Sequence, residues 1–62
     1  MEVMTMSLEE YKIQVAEYLM KYMNYSDEEV EDAFEIYDDV FPRCLKRGIS
    51  VPSMATMIDH EF

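Results

Sequence analysis

The chain of 62 residues contains a single cysteine, Cys44, and a single histidine, His60. One cysteine cannot form an internal disulfide, and one cysteine with one histidine falls short of the roughly four ligands of a structural zinc site. A chain this short buries only about 60% of the surface that its unfolded form exposes, so it usually depends on a disulfide, a metal, close helix packing or a second subunit. We therefore expect helix packing and self-association to stabilise it.

The sequence also lacks the patterns of common catalytic and cofactor sites. Its only glycine, Gly48, excludes a glycine-rich phosphate loop, and an EF-hand would need a central glycine within the acidic stretch. Cys44 falls on the apolar face of a predicted helix, where a buried thiol is more common than a nucleophile. We expect no catalytic residue, no metal site and no cofactor, and therefore no enzyme.

Long apolar runs and basic residues are scarce as well. No run approaches the ~20 apolar residues of a membrane-spanning helix, and the first residues lack the basic and apolar segments of a signal peptide. With an unpaired cysteine, this favours a cytoplasmic location. Fourteen acids oppose five bases, for a net charge of −9. Since phosphate backbones and anionic membranes both attract Lys and Arg, we expect neither direct nucleic-acid binding nor membrane binding.

Half of the residues are hydrophobic, which is too many for a disordered chain. Ser7 and Ser26 each stand three residues before a glutamate, the capping-box pattern that opens a helix. The apolar spacing predicts an all-α, single-domain protein, a small three-helix bundle with a frayed segment before it. The frayed segment is 1–6, and the helices cover about 7–23, 27–47 and 51–60.

Pro42 interrupts the second predicted helix. A proline inside a helix costs ~3 kcal/mol and kinks or ends it. Two interpretations stay open: one helix over 27–47 that is kinked near Pro42, or a helix over 27–40 followed by a short one from Pro42. The apolar spacing continues past Pro42 and favours the kinked helix. Gly48 stands where a left-handed residue commonly ends a helix.

Residues 27–39 contain eight acids and no base. Such a stretch is often a solvated face that aids solubility. It is also typical of a surface that attracts a basic partner, and spaced carboxylates can imitate the phosphates of a nucleic acid. The candidate acidic docking face consists of Glu28, Glu31, Asp32, Glu35, Asp38 and Asp39.

The first predicted helix is apolar over more than half of its circumference, whereas a surface helix usually shows a stripe a little over 100° wide. It is therefore either the central helix of the fold or a contact surface for another chain. Tyrosine is enriched at interfaces and methionine adapts to varied partners, although both also fill cores. We expect a homodimer or higher oligomer. The candidate apolar interface consists of Tyr11, Tyr18, Tyr22, Met20 and Met23.

Two short stretches resemble known families. Residues 45–50, with Ala55 and Ile58, resemble the turn and second helix of a helix-turn-helix. A DNA reader needs basic and amide side chains on that second helix. At those positions this chain has Val51, Ser53, Thr56 and Asp59, so DNA binding is not expected.

Residues 23–26, with Glu29, Val30, Ala33 and Phe34, are similar to the first loop and second helix of ubiquitin-associated domains. In that family a Met-Gly-Phe/Tyr loop helps to bind ubiquitin. Asn24 occupies the position of that glycine here, and the second helix is longer than in the family. No function is carried over from this resemblance.

These patterns together predict a non-enzymatic protein-interaction module. It would be a small regulator or inhibitor that docks a basic protein through the acidic helical face. One alternative is an acidic nucleic-acid mimic that blocks a basic DNA- or RNA-binding protein. Another is a structural subunit whose homo-oligomer is itself the function.

Overall fold

The computed structural model describes residues 6–61, and this part of the chain is helical without strands. Its four helices are α1 (Leu8–Tyr22), α2 (Asp27–Ile36), α3 (Val40–Arg47) and α4 (Val51–Glu61). The predicted all-α class is therefore confirmed. Helix α1 packs against each of the other three, most extensively against α4, so it has the central role that its broad apolar surface allowed. Of the segment predicted to fray, only Met6 lies within the described residues, and it packs against the core.

The predicted number of helices is wrong, because residues 27–47 form two helices. Helix α2 ends at Ile36, the chain turns through 37–39, and α3 begins at Val40. In one continuous helix, the ring of Pro42 would clash with the carbonyl of Asp38, four residues earlier. The turn removes that clash. Pro42 then lies in the first turn of α3, where a missing N–H costs nothing.

Serine side chains begin three of the helices. At Ser26 the capping box is complete: its Oγ accepts from the Glu29 N–H at 3.2 Å, and its own N–H donates to Glu29 Oε1 at 2.9 Å. Ser7 Oγ accepts the N–H three residues on at 3.1 Å. Ser50, which the sequence pattern did not identify as a cap, accepts the Ser53 N–H at 3.3 Å before α4. These bonds satisfy N–H groups that have no partner within their helices.

Left-handed residues end α1 and α3. Gly48 has a φ of 76°, as predicted, and the following Ile49 N–H donates to the Cys44 carbonyl at 3.0 Å. Asn24 has a φ of 63° after α1. Asparagine tolerates this conformation better than most residues, because a short polar side chain is able to hydrogen-bond to the nearby backbone. Both positions let the chain change direction between consecutive helices.

All four helices contribute to one core. Tyr11 lies at its centre, edge-on to the Phe41 ring with centroids 6.3 Å apart, and its hydroxyl donates to the Ile49 carbonyl at 2.7 Å. The buried phenol therefore has the partner that burial requires. Cys44 is a buried free thiol, as predicted. The buried side chains are Tyr11, Val15, Leu19, Val30, Ala33, Phe41, Cys44, Met54, Ala55 and Ile58.

Candidate docking surface

Four of the six candidate acids lie on α2. At about 100° per residue they fall within one arc of about 100°, on the opposite side of the helix from the buried Val30 and Ala33. Their side chains are all exposed, so the carboxylates project into solvent away from the core. These four residues are Glu28, Glu31, Asp32 and Glu35.

The other two candidates, Asp38 and Asp39, are exposed in the turn between α2 and α3. Asp38 Oδ1 accepts a hydrogen bond from Lys12 Nζ at 3.1 Å, which forms an ion pair between this turn and α1. The same Lys12 Nζ lies 5.7 Å from the centroid of the Phe41 ring. Asp39 precedes α3 but its side chain makes no capping bond. Asp38 therefore has a structural contact, whereas Asp39 does not.

Five carboxylates of the acidic face have no ion pair or side-chain hydrogen bond within residues 6–61. Like charges four residues apart, such as Glu31 and Glu35, each weaken a helix by a few tenths of a kcal/mol. The fold thus carries these charges at a small cost and gains no contact from them. The five residues are Glu28, Glu31, Asp32, Glu35 and Asp39.

Ile36 adds an apolar side chain to this region. It is 64% exposed and lies one turn after Asp32, at the edge of the acidic face. The candidate set from the sequence omitted it. Its position outside the spacing of the buried Val30 and Ala33 was the signal that it points away from the core.

The candidate apolar interface on α1 is divided by the fold. Tyr11 is fully buried, so it packs the core rather than presenting a surface. Tyr18 and Met23 are half-buried against the core. Met20 is 36% exposed and Tyr22 is 66% exposed. Of the five candidates, only Met20 and Tyr22 are exposed to solvent.

A shallow groove of about 310 Å³ runs between the C-terminal half of α1 and Val51 at the start of α4. Tyr18 and Tyr22 form one side, with ring centroids 4.7 Å apart, and Lys21 Nζ lies 5.6 Å from the Tyr22 centroid. Its volume is at the lower end of that of ligand pockets, which are lined mainly by apolar side chains. Half of the residues lining this groove are polar, which suits a partner's side chain better than a buried ligand.

Tyr25 holds the start of α2 in place. Its hydroxyl donates to Asp59 Oδ1 at 3.0 Å, which joins the loop before Ser26 to α4. Burial, followed by this hydrogen bond and the carboxylate charge, raises the pKa of Tyr25 to about 12. Burial also raises the pKa of Tyr11. The N-terminal end of the acidic face is therefore fixed relative to the core.

Within residues 6–61 no group of three or more His, Cys, Asp or Glu side chains is arranged to hold a metal ion. No helix in that range is long and apolar enough to cross a membrane. The chain matches no protein-family model, no curated protein and no solved structure. The chemistry of its surface is therefore the guide to its function.

Proposed function

We propose that this chain is a non-enzymatic protein-interaction module that docks a basic partner protein through the acidic face of α2. The supporting observation is the set of five exposed carboxylates that bond to nothing within the described chain. If these residues served the fold alone, fewer like charges along one side of α2 would make the helix more stable. Because the carboxylates weaken the helix and contact nothing within the described chain, they are suited to contacts with another protein.

The electrostatics define the kind of partner. A one-sided negative surface attracts Lys and Arg side chains, speeds association and disfavours acidic competitors. This attraction extends about 8 Å at physiological ionic strength and weakens as salt is added. Ile36, beside the carboxylates, adds one apolar contact. We therefore expect a partner with a basic surface and an apolar side chain at its edge.

The fold supports presentation of the face. Tyr25 fixes the loop before α2 to α4, and the Lys12–Asp38 ion pair fixes the turn after it to α1. Both ends of the acidic face are thus held against the core. A surface that is ordered before binding loses less conformational entropy when the partner docks.

A capture experiment with charge-matched variants tests this proposal. Wild type, the variant Glu31→Gln with Glu35→Gln, and the control Glu9→Gln with Glu61→Gln would each be immobilised and exposed to lysate of the source organism. Bound proteins would be quantified by mass spectrometry at two salt concentrations. Both double variants remove two exposed acids, but only the first removes them from α2.

We expect a basic protein that binds wild type and the control, is lost from the α2 variant, and binds less at high salt. Equal binding to all three proteins would contradict the proposal. Equal loss from both variants would also contradict it, because it would show a response to net charge alone. Competition by added DNA would identify the captured partner as a nucleic-acid-binding protein and the acidic face as a nucleic-acid mimic.

A further inference from the structure

The side of α1 that faces away from the other helices carries two apolar side chains, Ile13 and Met20, which are 52% and 36% exposed. They lie seven residues apart, which is about two helical turns and therefore the same side. Neither packs against the buried core, which α1 contacts through its opposite side. We call this side, with the residues between and beside them, the outer face of α1.

Two opposite charges accompany Met20 on the outer face. Glu17 and Lys21 are exposed and, with Met20, line an open hollow of about 460 Å³. They stand four residues apart, yet no ion pair joins them, and Lys21 Nζ lies over the Tyr22 ring instead. The hollow therefore presents one acid, one base and one apolar side chain, each open to a contact from outside.

We propose that two copies of this chain pair through the outer faces of α1 in an antiparallel, two-fold symmetric contact. In such a contact, residue i of one copy meets residue j of the other, and j meets i. With the axis near Met20, Glu17 of each copy meets Lys21 of the second copy, so two intermolecular ion pairs flank the two methionines. In this register Ile13 lies opposite residues 24 and 25 of the other copy, just past the end of its α1.

Charge distribution favours a second copy as the occupant. The net charge of −9 opposes self-association in general, but the hollow around Met20 contains one acid and one base. Val30 and Ala33 of α2 lie in the same buried core as Val15 and Leu19 of α1, opposite the outer face. Pairing through the outer faces therefore keeps the unpaired acids of α2 outside the contact. The pairing does not depend on the docking role of α2.

The small apolar area of the outer face limits the expected affinity of the dimer. Two partly exposed apolar side chains per copy are far short of the ~800 Å² per partner of a standard interface. We therefore expect a weak dimer, with a Kd of about 0.1–1 mM. Such a dimer forms at high protein concentration and doubles the number of acidic faces in one particle.

Sedimentation equilibrium of two charge-reversal variants tests the pairing. Lys21→Glu alone and Glu17→Lys alone each place like charges opposite each other in the dimer, and we expect each to dimerise about tenfold more weakly than wild type. An equimolar mixture of the two should dimerise about as well as wild type. In the mixture each variant supplies the charge that the other has lost, across the interface but not within one chain.

Lys46→Glu on α3 is the control, because it is exposed, makes the same charge change as Lys21→Glu and lies outside the outer face of α1. We expect it to keep the wild-type dimerisation. Circular dichroism of each variant would verify that the helices are intact. A wild type that stays monomeric up to about 1 mM, or a mixture that dimerises no better than either variant alone, would overturn the proposal.

Discussion

Helices α1 and α2 both begin with a serine cap and both follow a helical apolar spacing, yet they contribute differently to the molecule. Helix α1 has 15 residues and fully buries Tyr11, Val15 and Leu19 while it contacts every other helix. Helix α2 has 10 residues, buries Val30 and Ala33, and exposes its acids. The difference indicates that α1 organises the core, whereas α2 mainly presents a charged surface.

Truncation of the core side of α1 should have the largest effect. We expect Leu19→Ala to lower the free energy of unfolding by about 3 kcal/mol, since it removes buried methyl groups and leaves a cavity. The matched change on the outer face, Ile13→Ala, should alter it by less than about 0.5 kcal/mol. Urea denaturation at a dilute concentration would measure both, and equal losses would break the distinction between the two sides of α1.

The buried hydroxyl of Tyr11 should have the next largest effect. Tyr11→Phe keeps the ring against Phe41 but removes the 2.7 Å hydrogen bond to the Ile49 carbonyl. We expect a loss of about 1–2 kcal/mol, because a part-buried carbonyl is left without its donor. Tyr22→Phe on the exposed end of α1 is the control and should be nearly neutral. Thermal unfolding of the two variants would compare the stability lost with a buried tyrosine hydroxyl and with an exposed one.

Neutralising the acidic face of α2 should change stability in the opposite direction. We expect Glu31→Gln with Glu35→Gln to raise the free energy of unfolding by about 0.5 kcal/mol, because like-charge pairs along the helix disappear. Asp38→Asn removes the ion pair with Lys12 and should lower it by up to about 1 kcal/mol. Guanidinium would screen both effects, so urea is the suitable denaturant. A loss of stability in the double variant would show that the fold uses these acids.

Tyr25 should have the smallest effect, and that effect should disappear at high pH. Its pKa is about 12 in the folded chain and about 10 when unfolded, so its protonated form favours folding. That contribution is complete below pH 10 and is lost as the pH rises from 10 to 12. We expect Tyr25→Phe to be less stable than wild type below pH 10, with a difference that narrows toward pH 12. A constant difference across that range would contradict the raised pKa.

Local sequence patterns predicted much of this fold. The serines at 7 and 26 begin helices, Gly48 ends one in a left-handed conformation, and the 3–4 spacing located the buried sides of α2, α3 and α4. These features depend on neighbouring residues alone, so the sequence is sufficient to find them. The complete capping box at Ser26 is an example.

The break at 37–39 could not be located in the same way. The apolar spacing continues through it, since Tyr37, Phe41 and Cys44 all face the core on both sides of the turn. Pro42 requires a break but does not fix its position, because the ring clash is relieved by a break at any of several preceding residues. The turn at 37–39 also carries the Lys12–Asp38 ion pair, which joins residues 26 positions apart and exists only because the helices pack together.

Of the two candidate sites, the sequence located the acidic face but could not sort the apolar residues of α1. The acidic face was visible in the sequence because its residues lie within the short stretch 28–39, and four of them share one side of α2. The apolar candidates on α1 were not separable, because helical spacing alone does not say which apolar side the other helices cover. The structure buries Tyr11 and leaves Ile13 exposed, and only the arrangement of α2, α3 and α4 around α1 decides between them.

Native-state amide hydrogen exchange tests the contrast between α1 and α2 most directly. We predict that the amides of Val15 and Leu19 exchange only through global unfolding, with an opening free energy equal to that from urea denaturation. The amides of Glu31, Asp32 and Glu35 should exchange through a local opening of lower free energy, because α2 has few buried contacts. Equal protection of the two helices, or stronger protection of α2, would contradict the account in which α1 organises the core and α2 presents the acidic face.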